Sequence, residues 1–372
     1  MNLSTPSGST FTFTFTSPLS LAHYGWDAAF ADSFAPYAEQ GLVPGRIVRV
    51  DRGACDVVTA EGQLRAAVVL GPEPDPTRLP TTGDWAALST GAQPAVRALL
   101  PRRTAFLRSA SSKRSDGQVL AANVDHAVIA VSLAADLNLP RLERLLSLAW
   151  SSGAQPLIVL TKADLIDDPA VLGHLLADAR SAAPGVEVLA VSSTSGTGVA
   201  ELAAAVAGGT AVLLGQSGAG KSTLANTLLG DAYQTVQAAR DSDGKGRHTT
   251  TTRDLLPLPG GGVLIDTPGM RGVGLWEAQE GLAQVFAEIE AYAGDCRFDD
   301  CSHTAEPGCA VLAALDSGEL SERRLDSYRK LLRENAHIAA RTDARLRAER
   351  RRVWRRNENT GREARRLKGM DY

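Results

Sequence analysis

From His126 onward, short apolar runs alternate with longer stretches in which apolar residues recur every three or four positions. Ala127 to Ser132, Pro156 to Leu160, Val186 to Val191, Thr210 to Leu214 and Gly262 to Ile265 have the length of buried strands. Leu139 to Trp150, Pro169 to Ala182, Val199 to Ala207 and Ser222 to Leu229 carry the helical period. Strand and helix in alternation predict an α/β domain around a mostly parallel sheet. Upstream the rhythm is shorter. Arg46 to Val50, Asp56 to Thr59, Leu64 to Leu70 and a segment opening at Gly83-Asp84-Trp85 are separated by the turn signals Arg52-Gly53 and Glu61-Gly62. Short strands at such spacing predict a small barrel, either an oligonucleotide-binding fold or an SH3-like packing module. Tyr24 to about Gly41 is an ordered lead-in, and Met1 to Leu19 is rich in Ser, Thr and Pro, with Phe11, Phe13 and Phe15 alternating with Thr. Ser321 to Arg356 is a long helical segment that ends in a basic tail containing Trp354.

Chemistry enters at the ends of the predicted strands. Gly215-Gln216-Ser217-Gly218-Ala219-Gly220-Lys221-Ser222 has the pattern G-x-x-x-x-G-K-[ST], between an apolar strand and a helix. Glycines there let backbone N–H groups face phosphate oxygens, and the helix N-terminus adds partial positive charge. Lys221 is expected on the β and γ phosphates and the Ser222 hydroxyl on Mg²⁺. Thr161-Lys162-Ala163-Asp164 ends another strand, where a carboxylate, an acceptor only, suits the N1–H and exocyclic amine of guanine. The Lys162 stem would cover the base, and Ser192-Ser193, after the next strand, would offer backbone to the guanine oxygen. Asp266-Thr267-Pro268-Gly269 follows the strand after the phosphate loop, with Asp266 expected to hold Mg²⁺ through water and the Gly269 N–H to meet the γ-phosphate. Within Gly246-Arg247-His248-Thr249-Thr250-Thr251-Thr252, Thr250 or Thr251 is the expected second hydroxyl on Mg²⁺. The expected nucleotide-contacting set is Gly215, Gln216, Ser217, Gly218, Ala219, Gly220, Lys221, Ser222, Thr223, Thr161, Lys162, Asp164, Ser192, Ser193 and Gly269. Many GTPases carry Gln just after D-x-x-G; here that position is Met270, which leaves His248 as the candidate catalytic group to position water. The guanine-reading segment precedes the phosphate loop, the reverse of the ordinary order, so the domain is expected to be circularly permuted.

Cys296, Cys301, His303 and Cys309 lie within one short polar stretch containing the turn Pro307-Gly308. Three thiols and an imidazole predict one structural, tetrahedral Zn²⁺ site. The N-terminal stretch lacks a basic region ahead of an apolar one, so neither a signal peptide nor disulfides are expected, and Cys55 is expected to be a packing residue. No apolar run approaches the roughly 20 residues needed to span a bilayer. Charge changes the picture further: Arg341 to Tyr372 carries 12 Lys/Arg and 5 Asp/Glu, net +7, which leaves −10 on the rest of a chain whose total is −3. A basic tail on an acidic body suits a polyanionic partner, and the interleaved Trp354 suits RNA.

Barrel, permuted GTPase and a C-x4-C-x-H-x5-C metal segment, with G-R-H-T-T-T at Gly246 to Thr251, D-T-P-G at Asp266 to Gly269 and C-R-F-x-D-C-x-H at Cys296 to His303, resemble the ribosome small-subunit-dependent GTPase A family. The resemblance covers about Tyr24 to the C-terminus. It implies a cytoplasmic, monomeric GTP hydrolase that binds the maturing small ribosomal subunit and its rRNA, is stimulated by it and assists late assembly. It implies GTP and GDP as ligands, Mg²⁺ with GTP, one Zn²⁺, and no membrane partner. The expected divisions are residues 1–40 as an N-terminal extension, partly disordered, 41–115 as an oligonucleotide-binding barrel, 116–290 as the permuted GTPase domain and 291–372 as a mostly α zinc domain with a basic helical tail. Two alternatives are a permuted GTPase acting on another ribosomal particle or RNA, and an RNA-interaction module with little turnover.

Overall fold

The computed structural model describes residues 19–51, 53–71, 76–108, 118–230, 253–266 and 279–342. The Phe/Thr alternation at the N-terminus, His248, Thr249 to Thr252, Gly269, Met270 and the basic tail from residue 343, including Trp354, lie outside them.

The lead-in is helical. A single 3-10 turn, Leu21–Tyr24, precedes α1, Ala28–Ala38, whose N-terminus is capped by Asp27 accepting from the Phe30 N–H at 3.0 Å. The barrel consists of β1 (Val43–Asp51), β2 (Ala54–Thr59), β3 (Gly62–Val68), β4 (Trp85–Ser89) and β5 (Ala95–Leu99), closed in the order β1-β2-β3-β5-β4. Its interior is Ile47, Cys55, Val57, Ala66, Ala86, Leu88 and Val96, all fully buried. Cys55 therefore packs, and burial pushes its thiol up to about 12.

One barrel feature is not visible in the sequence. The pairing of β1 with β2 slips between Ile47 and Arg49, a β-bulge at Val48. Ile47 pairs with Val57, and Val50 with Cys55, so both face the barrel interior. Strict alternation would send residues 47 and 50 to opposite faces; the extra residue puts them on the same one. Arg46, Val48 and Arg49 consequently all point outward, and Val48 joins the core shared with the neighbouring domain.

A two-stranded ribbon, β6 (Ala105–Arg108) with β7 (Gln118–Ala122), links the barrel to the α/β domain. That domain contains β8 (His126–Ser132), α2 (Leu139–Ser151), β9 (Gln155–Thr161), α3 (Pro169–Ala182), β10 (Glu187–Val191), α4 (Val199–Val206), β11 (Thr210–Leu214), α5 (Lys221–Leu229), β12 (Asp254–Pro257) and β13 (Val263–Asp266). The sheet order is β10-β9-β8-β11-β13-β12, parallel except for β12 at one edge. Alternate residues of the same strands feed two cores. Ile129, Ile158, Leu160, Val212 and Ile265 face α2 and α3, while Val128, Val159, Leu213 and Leu264 face α4 and α5. Cover on both faces explains why these strands are uniformly apolar. Asn138 and Asp168 cap α2 and α3, each followed by a proline within the first turn.

The C-terminal part is helical: α6 (Gln279–Val285), α7 (Ala287–Ala293), α8 (Ala310–Asp316) and α9 (Glu322–Thr342). It packs onto the α2 side of the sheet, with Phe286, Ile289, Val311, Leu325 and Tyr328 in the same core as Leu142 and Leu146. No described helix is long and apolar enough to cross a membrane.

Candidate nucleotide and metal sites

The phosphate loop leaves β11 at its C-terminal end and enters α5 at Lys221. Gly215 sits at φ +141°, and a Cβ there would lie 2.4 Å from the Ala130 carbonyl oxygen of β8. The loop therefore lies directly against the neighbouring strand, which only glycine permits. Gln216, Ser217, Gly218, Ser222 and Thr223 are exposed around the loop mouth, while Ala219 is buried beneath it. The Lys221 ammonium is held over the loop, donating to the carbonyls of Gly215 at 2.8 Å and Gln216 at 2.5 Å.

The segment Thr161 to Asp164 stands beside it. β9 ends at Thr161, whose buried hydroxyl donates to the Ala219 carbonyl at 2.8 Å, pinning the strand end to the phosphate loop. Lys162 adopts a left-handed conformation, φ +60°, and turns the chain into the short 3-10 turn that presents Asp164. The Asp164 carboxylate is exposed, and one of its oxygens accepts from the Ser192 hydroxyl at 2.5 Å. Ser192 is fully buried, and its oxygen accepts in turn from the N–H groups of Thr194 and Ser195 at 3.2 and 3.1 Å. The sequence points to the backbone of Ser192-Ser193; the structure adds a side-chain role for Ser192, whose hydroxyl orients the carboxylate. The tight turn after it depends on Gly198, φ +71°, where a Cβ would meet the Ala190 carbonyl at 2.1 Å. Ser193, half-buried, follows at the open side.

Asp266 ends β13, adjacent to β11. Thr161, Asp164, Ser192, the phosphate loop and Asp266 thus all lie at the C-terminal edge of one parallel sheet, the position where such folds bind ligands. They occur in the permuted order. Mg²⁺ chemistry fits the Ser222 hydroxyl, exposed at the loop mouth.

The ligating atoms of Cys296, Cys301, His303 and Cys309 lie within 4.8 Å of one another. Cys296 Sγ is 3.8 Å from Cys309 Sγ, and His303 Nδ1 is 3.6 and 3.5 Å from those two sulfurs. Tetrahedral ligation at about 2.3 Å for sulfur and about 2.0–2.1 Å for nitrogen requires edges of roughly this length. The donor set therefore fits a four-coordinate metal. Desolvation pushes Cys301 up to about 11, helped by the neighbouring thiols and opposed by the His303 N–H. At Cys296 desolvation acts in the same sense, but the N–H groups of Val311 and Ala310 at the head of α8 outweigh it and hold the thiol below its ordinary value. Burial lowers His303, favouring the neutral imidazole a metal needs.

The shell around these ligands was not foreseen. Glu306 accepts from the N–H groups of Ser302, Thr304 and Ala305 at 3.1, 2.7 and 3.0 Å and from the Ser302 hydroxyl, which keeps its carboxyl far below the usual range. Arg329 of α9 donates to the His303 carbonyl, fixing a residue at φ +54°. An acidic residue between two ligands was the available sequence signal for Glu306; none marked Arg329.

Known proteins agree with this arrangement. A family profile described as RsgA GTPase matches residues 99–276. The small ribosomal subunit biogenesis GTPase RsgA of Streptomyces coelicolor is 66% identical over 345 residues, covering 92% of this chain and 94% of that protein. The chain belongs to the RsgA GTPase family. An RsgA from Opitutus terrae is 44% identical over 349 residues, covering 89% of this chain and 94% of its own. Among solved structures, YjeQ from Thermotoga maritima superposes with a TM-score of 0.60 at 24% identity, covering 79% of this chain and 98% of its own. YloQ, a circularly permuted GTPase, gives 0.59 at 23% identity, covering 79% and 95%. These two likenesses speak to the fold alone.

Proposed function

We propose that this RsgA-family protein hydrolyses GTP to GDP and phosphate and acts in maturation of the small ribosomal subunit, whose binding stimulates turnover. The observation that carries the reading is the pinning of the guanine-reading strand to the phosphate loop, Thr161 to Ala219, in a chain of permuted order with high identity to proteins named for that role. Gly215 to Thr223 cradle the phosphates, Asp164 and Ser192 hold the base edge, and Lys162 and Ser193 flank it. Ser222 and Asp266, with Thr250 or Thr251, would hold Mg²⁺, which supplies charge neutralisation at the transferring phosphoryl group. Gly269 would donate its N–H to the γ-phosphate. His248 is the proposed water-positioning group, since Met270 has no hydrogen-bonding capacity for that task.

The metal of the Cys/His cluster is proposed to be a single structural Zn²⁺, on the evidence of its donor set and spacing. The barrel, residues 41–115, and the basic tail of the 291–372 segment are proposed to meet rRNA, flanking a GTPase domain of residues 116–290, behind the extension 1–40. The reading carries with it a monomeric, cytoplasmic protein. GTP turnover, measured with and without purified small ribosomal subunits, tests the proposal. Slow intrinsic turnover that rises severalfold only with small subunits supports it. Equal turnover with large and small subunits points to another ribosomal particle or RNA, and no turnover in either case points to a nucleotide-binding RNA module.

A further inference from the structure

The barrel grips the GTPase sheet at its β12 edge, beside the strand that ends in Asp266. The Thr82 hydroxyl donates to the Arg253 carbonyl at 2.9 Å, across 171 residues of chain. Arg49 Nε lies 3.8 Å from Asp254 Oδ1 and 3.6 Å from Asp51. Arg253 and Asp254 are the two residues that immediately follow Thr252, so the grip falls where the threonine segment enters β12. Asp254 in turn stands directly opposite Asp266 in the β12–β13 ladder. A third contact reaches the phosphate-loop strand: Arg46 is 1% exposed and donates to Thr210 Oγ1 at 3.1 Å, to the Asn123 carbonyl at 3.1 Å and to the Tyr24 carbonyl at 3.0 Å. Thr210 opens β11.

One feature of β1 brings its two arginines to the same face. Arg46 and Arg49 face the GTPase domain together only because the bulge at Val48 resets the alternation of β1; without it Arg49 would point into the barrel interior. A buried guanidinium and a bulge are costly devices for packing alone, where apolar side chains would do as well. The loop bearing Thr82 is tied to the same strand, through Ile47 N–H to the Asp84 carbonyl at 2.8 Å and Gly83 N–H to the Ile47 carbonyl at 2.9 Å.

We infer that bulged strand β1, through Arg49–Asp254 and Thr82–Arg253, positions β12 and its partner strand β13, coupling the barrel to the Mg²⁺-carboxylate edge of the nucleotide site. Arg49, Thr82 and Asp254 are positioning residues for this purpose; none touches nucleotide. The inference rests on the proposed stimulation by small subunits for its functional consequence. Its physical content, reciprocal coupling of barrel and nucleotide state, stands apart from that.

Two measurements on the full chain test it. In the first, Arg49→Gln leaves turnover of the free protein within about twofold but lowers subunit-stimulated turnover about three- to tenfold, within the lower part of the range for a pairwise contact. Asp254→Asn loses stimulation equally, and the double variant loses no more than either single one. In the second, hydrogen exchange of β1 amides is compared with GDP and with a non-hydrolysable GTP analogue. The wild type shows a nucleotide-dependent difference at residues 47–50, which collapses in Arg49→Gln and in Thr82→Val. Thr82→Val is nearly isosteric and serves if Arg49→Gln fails to fold. Wild-type stimulation retained in full by these variants, or a β1 exchange difference that is absent from the wild type or unchanged in the variants, overturns the inference. A wild type that small subunits do not stimulate sinks the functional proposal instead, and the exchange experiment still decides the coupling.

Discussion

The proposed guanine selectivity rests on one carboxylate, Asp164, and the Ser192 hydroxyl that holds it. Asp164 is exposed, and one of its oxygens is fixed by Ser192, which leaves the other free to accept from the base in the proposed site. In Asp164→Asn the amide places a donor where guanine also donates, so the variant should prefer xanthine nucleotides; competition binding with GTP and XTP checks this, and retained GTP preference would refute the role. Ser192→Ala removes a hydrogen bond to a charged group, typically worth about 1.5–3 kcal/mol, and leaves the Thr194 and Ser195 N–H groups without their acceptor. GTP affinity is expected to fall about tenfold or more with guanine preference kept. A variant whose affinity matched wild type would show that the carboxylate needs no orienting partner. Asp164 was legible from sequence because its motif fixes both residue type and position at a strand end. The Ser192 hydroxyl was not, because its importance arises from being buried beneath a residue 28 positions away, which spacing along the chain does not report.

Among the elements, the strands of the parallel sheet were the most readable, since burial on both faces demands unbroken apolar runs. Thr210–Leu214 and Pro169–Ala182 have the predicted bounds. The ribbon β6–β7 and the antiparallel strand β12 escaped notice: they are four or five residues long, and their pairing partners lie across loops. The bulge of β1 was likewise invisible, because it is a property of pairing register. The phosphate loop makes an element-scale prediction. Gly215→Ala forces a Cβ against the Ala130 carbonyl at φ +141°, a strain of about 1–3 kcal/mol. Thermal melting should fall and nucleotide binding should be lost, whereas Gly218→Ala, whose Cβ meets nothing within 4 Å, should cost only the strain of its φ of +81°. Equal effects of the two would remove strand contact as the cause. At the metal segment, Cys301→Ser removes one of four ligands, and because metal binding and local folding share one free energy, the bound metal and the protection of α8 should disappear together. Elemental analysis of the purified variant with hydrogen exchange over 296–316 follows both; full metal content would exclude Cys301 as a ligand.

For the molecule as a whole, the question is what holds the helices around the Cys/His cluster onto the GTPase sheet. A buried charge network at their junction answers it. Glu143 of α2 is fully buried and accepts from Arg324 at 2.8 Å, from Arg323 at 2.9 Å and from the Ser327 hydroxyl, all on α9. Arg324, 5% exposed, also donates to Glu288 at 2.6 Å and to the carbonyls of Ala182 and Val285, and its guanidinium lies over the Phe286 ring at 4.3 Å. One arginine thereby joins α2, α3, α6, α7 and α9. The same helix supplies Arg329 to the His303 carbonyl, so the network reaches the metal ligands through a single rigid element. Such a network contributes little against an apolar replacement of the whole set, but removing one partner leaves the others buried and uncompensated. Glu143→Ala should therefore cost about 3–5 kcal/mol, with the exposed Arg323 contributing little of it. The loss should fall on the junction: urea unfolding should change from one transition to two, with α9 exchanging its amides ahead of the sheet. Glu143→Gln keeps one acceptor oxygen and should lie between. A single transition at the wild-type midpoint in Glu143→Ala would mean that apolar packing of Phe286, Leu325 and Tyr328 against Leu142 and Leu146 holds the junction unaided.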